Sequence, residues 1–235
     1  MKIALIGYGK MGREVERLAG DFGVSISAVF DSSHRPGLSD LEGSDLCIDF
    51  SVPGAAVQNM RVASECGIDI VQGTTGWYDD LDEVRNWFSQ SALLYAQNFS
   101  VGMNIFYRIV KTAAELVDSE EEYDPYILEH HNHDKEDNPS GTGLRIGGIV
   151  LEAIGRKVQI QTDPAGGVSS ENLHIASIRA GNVPASHTLG FESESDTIEL
   201  RHVSKNRAGF ALGALKAAQW VHGRKGVFTM DDVDL

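Results

Sequence analysis

The sequence predicts an α/β protein: a Rossmann-type, doubly wound parallel sheet followed by a second α+β domain with a mixed sheet. Short apolar runs alternate with amphipathic segments through roughly the first hundred residues, and a glycine-rich turn follows the first run directly. After an acidic turn at 118–122 the pattern changes to one helix among several alternating strands.

Strands are expected at 2–6, 26–30, 46–50, 68–72 and 93–96, where apolar residues rich in Ile, Leu and Val run for four or five positions. Helices at 11–19, 55–66 and 81–91 lie between several of them, and such alternation implies parallel strands joined by right-handed crossovers. Ile105, Ile109, Ala113 and Leu116 have helical spacing and lead into the acidic turn. Beyond it come a strand to about 128, a His-rich loop, a helix over 142–154, and strands around 158–161, 173–179, 187–191 and 197–203. A strongly apolar helix at 210–221 is expected to return to the first domain.

Gly7-Tyr8-Gly9-Lys10-Met11-Gly12 closes the first strand and opens the first helix. In that context GxGxxG is a dinucleotide fingerprint. The first glycine permits a tight turn, the second lets a pyrophosphate approach the backbone, and the third lets helix and strand pack closely. The second strand ends at Asp31, about twenty residues on, where a carboxylate accepts hydrogen bonds from an adenosine ribose. Ligands of parallel sheets sit at the carboxyl ends of the strands. There the chain places Asp49-Phe50-Ser51-Val52-Pro53, Gly73-Thr74-Thr75-Gly76 and Gln97-Asn98-Phe99-Ser100, small, hydroxyl and amide groups suited to a nicotinamide and its ribose.

With 235 residues, 42% of them hydrophobic, the chain can bury a substantial core. No apolar run reaches the roughly twenty residues that span a bilayer, so no membrane partner is expected. Met1-Lys2 leads straight into a strand with no cleavage pattern, which makes a cytoplasmic location the default. A formal charge of −14 argues against nucleic acid, which demands a basic surface. Anionic ligands then need local positive ground, for which Lys10, Lys135 and the turn at 140–142 are candidates. Cys47 and Cys66 lack CxxC spacing and read as small, reduced hydrophobes.

The segment at 129–142, EHHNHDKEDNPSGT, sets proton donors beside a helix N-terminus whose backbone N–H groups favour an anion. Acid chemistry on an anionic substrate is the first hypothesis. His130 and His133 keep a bland reading as solvated loop residues. A zinc site from His130, His131, His133 and Asp134 is the other alternative, but it lacks a distant fourth ligand, and no metal is expected.

Taken together, these motifs resemble those of the dihydrodipicolinate (4-hydroxy-tetrahydrodipicolinate) reductase family from end to end. The family's GxGxMG falls on Gly7 to Gly12, its DFS/T-x-P on Asp49 to Pro53, its GTTG on Gly73 to Gly76, and its A-x-NFS-x-G on Ala96 to Gly102. The most specific motif, E-x-HH-x-x-K-x-D-x-PSGT, aligns without a gap on Glu129, His131, Lys135, Asp137 and Pro139 to Thr142. Its second histidine falls on Asn132, a departure. A shift by one would put the pair on His130 and His131 but break the spacing to Glu129 or to Lys135.

What the resemblance implies is NAD(P)H-dependent reduction of 4-hydroxy-tetrahydrodipicolinate to tetrahydrodipicolinate with loss of water, in the lysine and diaminopimelate pathway. His131 is then the acid and Lys135 a fixed positive charge or second donor. Asn132, Ser140, Gly141 and Thr142 contact the dicarboxylate substrate, with Ser140 as helix N-cap. Gly7, Tyr8, Gly9, Lys10, Met11, Gly12, Asp31, Phe50, Ser51, Gly73, Thr74, Thr75, Ala96, Gln97, Asn98 and Phe99 hold the cofactor. An imidazole has an unperturbed pKa near 6.5, so a nearby carboxylate is expected to keep His131 protonated at neutral pH. Asp31 favours NADH by repelling a 2′-phosphate, while His34 and Arg35 leave NADPH open. Arg179 and Arg207 match the family only weakly, and an ordinary surface ion pair is their alternative.

The division expected is 1–103 for dinucleotide binding, 104–206 for substrate binding and oligomerisation, and 207–235 for the returning helix. Resemblance further implies a homo-oligomer, commonly a homotetramer. Two rival readings are an aspartate dehydrogenase-like oxidoreductase and an NAD(H)-binding sensor or regulatory protein without turnover.

Overall fold

The computed structural model describes residues 1–234. The chain divides into two compact units, one formed by Met1–Asn104 with the chain from Arg207 onward, the other by Ile105–Asn206.

The first unit begins with β1 (Lys2–Ile6), α1 (Lys10–Ala19), β2 (Ser25–Phe30), β3 (Leu46–Asp49), α2 (Pro53–Glu65), β4 (Asp69–Gln72), α3 (Leu81–Arg85) and β5 (Ala92–Tyr95). Every residue of β3 and β4 is buried, which is why these strands read as continuous apolar runs rather than as alternation. One sheet face carries Ile3, Leu5, Ile48, Val71 and Leu94; the other carries Ala4, Ile6, Cys47, Ile70 and Leu93 against Met60, Trp77 and Phe88. Pro53 starts α2 at a position where its missing N–H costs nothing. The helix expected at 81–91 stops at Arg85, where the Asn86 side chain donates to the Asp82 carbonyl at 2.8 Å and turns the chain. Cys47 is buried, Cys66 is partly so, and neither forms a disulfide.

α4 (Val101–Val117) leads into the second unit, which holds β6 (Asp124–His131), α5 (Gly141–Ala153), β7 (Gln159–Gln161), β8 (Asn172–Arg179), β9 (Ala185–Glu192) and β10 (Thr197–Ser204). The sheet order is β10-β9-β6-β8-β7. β6 runs parallel to β8 and antiparallel to β9, so the sheet is mixed. The strand expected to end near 128 continues through His131. Glu129 and His130 pair with Ser177 and Ile178 on one side and with His187 and Ser186 on the other. Long-range ladder partners therefore extend a strand that local sequence would end.

Register decides which side chains meet. Glu129 lies between Ser177 and His187, His131 opposite Arg179, and His187 opposite His202, so all six project from the sheet face that carries Ile127, Ile175 and Leu189. The α5 helix covers that face, with Gly147 close to Ile160 and Ile175. The opposite face exposes Leu128, Ile178 and Val203.

α6 (Ala208–Val221) and β11 (Gly226–Thr229) return to the first unit. α6 buries Ala211, Ala214, Leu215 and Ala218 in the core shared with Ile3 and Leu5. β11 pairs parallel with β5 and completes an order of β11-β5-β4-β3-β1-β2, all parallel. That last strand is absent from the sequence expectations. Among the described residues no helix is long and apolar enough to cross a membrane.

Candidate active site

In the first unit, Ile6, Gly7, Tyr8, Gly9, Asp31 and Ser51 line a cavity of about 420 Å³, with Arg35 and Phe50 also on its wall. A Cβ on Gly7, whose φ is +87°, would meet the Phe50 carbonyl carbon at 2.4 Å, and one on Gly12 would meet the Gly7 carbonyl oxygen at 2.5 Å. Gly9 has nothing within 4 Å of that position. The turn is thus packed tight at its outer glycines and open at the middle one, a cradle that fits a dinucleotide pyrophosphate at the start of α1. Lys10, Met11 and Gly12 belong to α1, where Lys10 is exposed and Gly12 buried.

Asp31 closes this cavity at the end of β2. Its Oδ1 accepts from the Ser33 hydroxyl at 2.6 Å, the Ser33 N–H at 2.8 Å and the His34 N–H at 3.1 Å. Those bonds, the Ser33 hydroxyl first, hold its carboxyl below the usual carboxylate range.

The remaining cofactor candidates sit at the ends of β4 and β5. The Thr74 hydroxyl donates to buried Asp49, whose carboxylate also accepts from Asn59, Gln72 and the Ser51 N–H. Asp49 thereby ties together the loops after β3 and β4. Gly73 lies against the Phe50 ring, Thr75 and Gln97 are exposed, and the Asn98 side chain accepts from the Ser100 N–H. Ala96 and Phe99 point into the core, Phe99 edge-on to Phe50.

The second unit gathers its chemistry around Glu129, which is fully buried. Oε1 accepts from Arg179 Nη2 at 2.8 Å, the Ser177 hydroxyl at 2.9 Å and the Ser140 N–H at 3.0 Å. Oε2 accepts from the Ser140 hydroxyl, with His187 Nε2 at 3.6 Å and His131 Nε2 at 3.8 Å. Burial opposes ionisation of this carboxyl, but hydrogen bonds from His187, Ser140 and Arg179 outweigh it and hold it far below the usual carboxylate range. Gly143 makes the approach possible, since a Cβ there would meet Glu129 Oε2 at 2.7 Å.

His131 is buried at the end of β6, its Nε2 3.3 Å from His187 Nε2. Its expected carboxylate neighbour exists, yet the imidazole is not held protonated. Burial, followed by the neighbouring His187, brings its pKa down to about 4; Glu129 pulls upward, and Lys135 and Arg179 add to the downward shift. Desolvation of the charged form is the larger effect.

Lys135 is half-buried and pairs with Asp137 at 2.6 Å. Burial works against the Asp137 carboxylate, but Lys135 and the Gly141 N–H bring its pKa below the ordinary value. Asn132 is partly exposed, and its carbonyl accepts from the Lys135 N–H. Ser140 caps α5, accepting from the Gly143 N–H at 3.0 Å; its hydroxyl faces Glu129 and is buried. Gly141 is exposed and Thr142 half-buried in the first turn of α5. His130 and His133 reach the Ala180 and Gly181 carbonyls, so neither joins His131.

Ligating atoms of Glu129, His131 and His187 lie within 4.8 Å of one another. Arg179, Ser177 and the Ser140 N–H occupy Oε1 of Glu129, and its Oε2 accepts from the Ser140 hydroxyl on the side facing the two histidines. His187 is absent from the sequence candidates, and for Arg179 the sequence leaves an ordinary surface ion pair as the alternative. Nothing local in the sequence marks either, because β8 and β9 bring them to Glu129 only through sheet pairing.

A nucleotide cradle on a parallel sheet and a buried acid–base network on a mixed one are the parts of a Rossmann-type oxidoreductase that uses a pyridine nucleotide. The chain belongs to the dihydrodipicolinate reductase family: residues 1–99 match the family's "Dihydrodipicolinate reductase, N-terminus" and residues 102–233 its "Dihydrodipicolinate reductase, C-terminus". A 4-hydroxy-tetrahydrodipicolinate reductase of Christiangramia forsetii is 39% identical over 99% of this chain and 97% of its own. A Methanosarcina mazei protein of the same name is 32% identical over 98% of this chain and 88% of its own. Dipicolinate-bound dihydrodipicolinate reductase from Paenisporosarcina sp. TG-14 shares the fold, with a TM-score of 0.81 at 23% identity over 97% of each chain. A probable dehydrogenase from Thermotoga maritima shares it more distantly, with a TM-score of 0.62 at 10% identity over 99% of this chain and 92% of its own.

Proposed function

We propose that this protein reduces 4-hydroxy-tetrahydrodipicolinate to tetrahydrodipicolinate with loss of water, as a step of lysine and diaminopimelate biosynthesis. The observation that carries this reading is the folding of the 129–142 motif into one network, in which Glu129, buried and ionised, holds both the cap of α5 and the surroundings of His131. Reduced nicotinamide, when bound, supplies hydride to the ring. His131 supplies the proton that the resulting carbanion needs, a contribution typically worth about 10²- to 10⁴-fold in rate. Lys135 holds positive charge near the dianionic substrate, and the first turn of α5 at Gly141 and Thr142 offers N–H groups and a hydroxyl to one ring carboxylate. Two carboxylates arriving beside His131 favour its charged form and offset part of the burial that disfavours it.

Gly7, Gly9, Gly12 and Tyr8 hold the pyrophosphate side of the cofactor, and Asp31 the ribose. Asp31, fixed as an anion, favours NADH, while Arg35 on the same cavity wall supports use of NADPH. Self-association as a homotetramer uses the open sheet face, a reading supported by exposed Leu128, Ile178 and Val203. A cytoplasmic enzyme is the corresponding location. The test is an absorbance assay at about 340 nm in which a coupled synthase supplies the unstable substrate. Oxidation of NADH or NADPH that depends on the synthase is expected; silence with both cofactors overturns the assignment in favour of a sensor.

A further inference from the structure

Glu129 sets the direction of the hydrogen bond between the two buried histidines. Its Oε2 accepts a hydrogen bond from the Ser140 hydroxyl, so Ser140 Oγ is left to accept, from the Gly143 N–H at 3.0 Å and from His187 Nε2 at 3.2 Å. A proton on His187 Nε2 is shared between the Ser140 oxygen at 3.2 Å and His131 Nε2 at 3.3 Å. His131 Nε2 is then the acceptor, and neutral His131 carries its proton on Nδ1. An imidazole in that form is a weak acid unless its Nε2 gains a proton as Nδ1 loses one.

On the far side, His187 Nδ1 is buried without a hydrogen-bond partner, and so is His202 Nδ1. These two residues stand directly opposite each other on β9 and β10, on one sheet face, where Cβ atoms lie about 5 Å apart. His202 is partly exposed and packs beside the Phe106 ring. The charged and titratable neighbours of this line are Glu129, Lys135 and Arg179 at the His131 end and His187 at the His202 end.

We propose that His187 and His202 are positioning residues that form a proton relay reloading His131. His131 gives its Nδ1 proton to the substrate ring carbon while its Nε2 takes the Nε2 proton of His187. His187 is refilled at Nδ1 from His202 through one bridging water, and His202 recovers a proton from solvent. The net change is one solvent proton on carbon, with each imidazole switched to its other tautomer and restored by exchange with water between turnovers.

This relay rests on the reductase reading, and the coupled assay separates the two. His202→Ala is expected to lower kcat about tenfold or more, to leave the KM for substrate and the affinity for NADH near wild type, and to recover with added imidazole. His202→Gln, which keeps a polar side chain of similar size, is expected to show the same loss with an unchanged melting temperature and an altered solvent deuterium isotope effect on kcat. Wild-type kcat in either variant, or a loss that imidazole does not restore, overturns the relay while the reductase stands. Silence of the wild-type enzyme overturns both.

Discussion

His131 and His187 meet Nε2 to Nε2 at 3.3 Å, their rings 5.0 Å apart and tilted by 73°, although they lie 56 positions apart in the chain. Buried Glu129 lies within 4 Å of both, and one ionised carboxylate therefore governs two imidazoles. Charge, tautomer and stability are linked at this point.

Stability should fall on acidification in two stages. The His131 pKa drops from 6.5 to about 4 on folding, so the unfolded chain binds this proton more readily. That contribution is complete above pH 6.5 and is lost as pH falls from 6.5 toward 4. Glu129 is depressed from 4.5, so its contribution is present above that pH and lost below it. Urea melts across this range test both, and His131→Gln should flatten the upper stage alone.

Removing Glu129 should damage the fold more than the loss of a surface charge. Glu129→Ala leaves Arg179 and the Ser140 cap without their acceptor, and breaking a buried pair from one side costs about 3–5 kcal/mol. Chemical denaturation measures it; a loss within the roughly 0–1 kcal/mol of a surface pair would contradict the network.

Ser140→Ala removes an N-cap as well as a donor to Glu129, and should cost about 1–2 kcal/mol in the same experiment. Ser140→Thr, which keeps the hydroxyl, should recover much of that loss.

Cofactor choice should respond to two side chains in opposite directions. Asp31→Ala is expected to narrow the gap between NADH and NADPH severalfold in kcat/KM, because the repulsion of a 2′-phosphate is removed. Arg35→Ala should weaken NADPH more than NADH. An unchanged ratio in the Asp31 variant would remove that residue from the site.

The parallel sheet is legible because its central strands β3 and β4 are buried on both faces and its strands are separated by amphipathic helices, and the glycine fingerprint has a local cause in Gly7 and Gly12. The short β11 was not, since Gly226–Thr229 becomes a strand only beside β5. Most of the 129–142 motif was visible, including Ser140 as cap. Its strand character through His131 was not, nor were His187 and His202, because register rather than spacing brings them together. Proximity of a carboxylate suggested a protonated His131; how deeply the fold buries that ring cannot be read from the residues beside it.

Steady-state kinetics of His131→Gln in the coupled assay, with NADH affinity measured on the same preparation, probe the proposed chemistry most closely. A kcat lowered by about 10²- to 10⁴-fold with nearly unchanged NADH binding is expected of a residue that acts in the transition state. A variant that turns over at the wild-type rate, with His130→Gln inactive instead, would show that the proton comes from another residue.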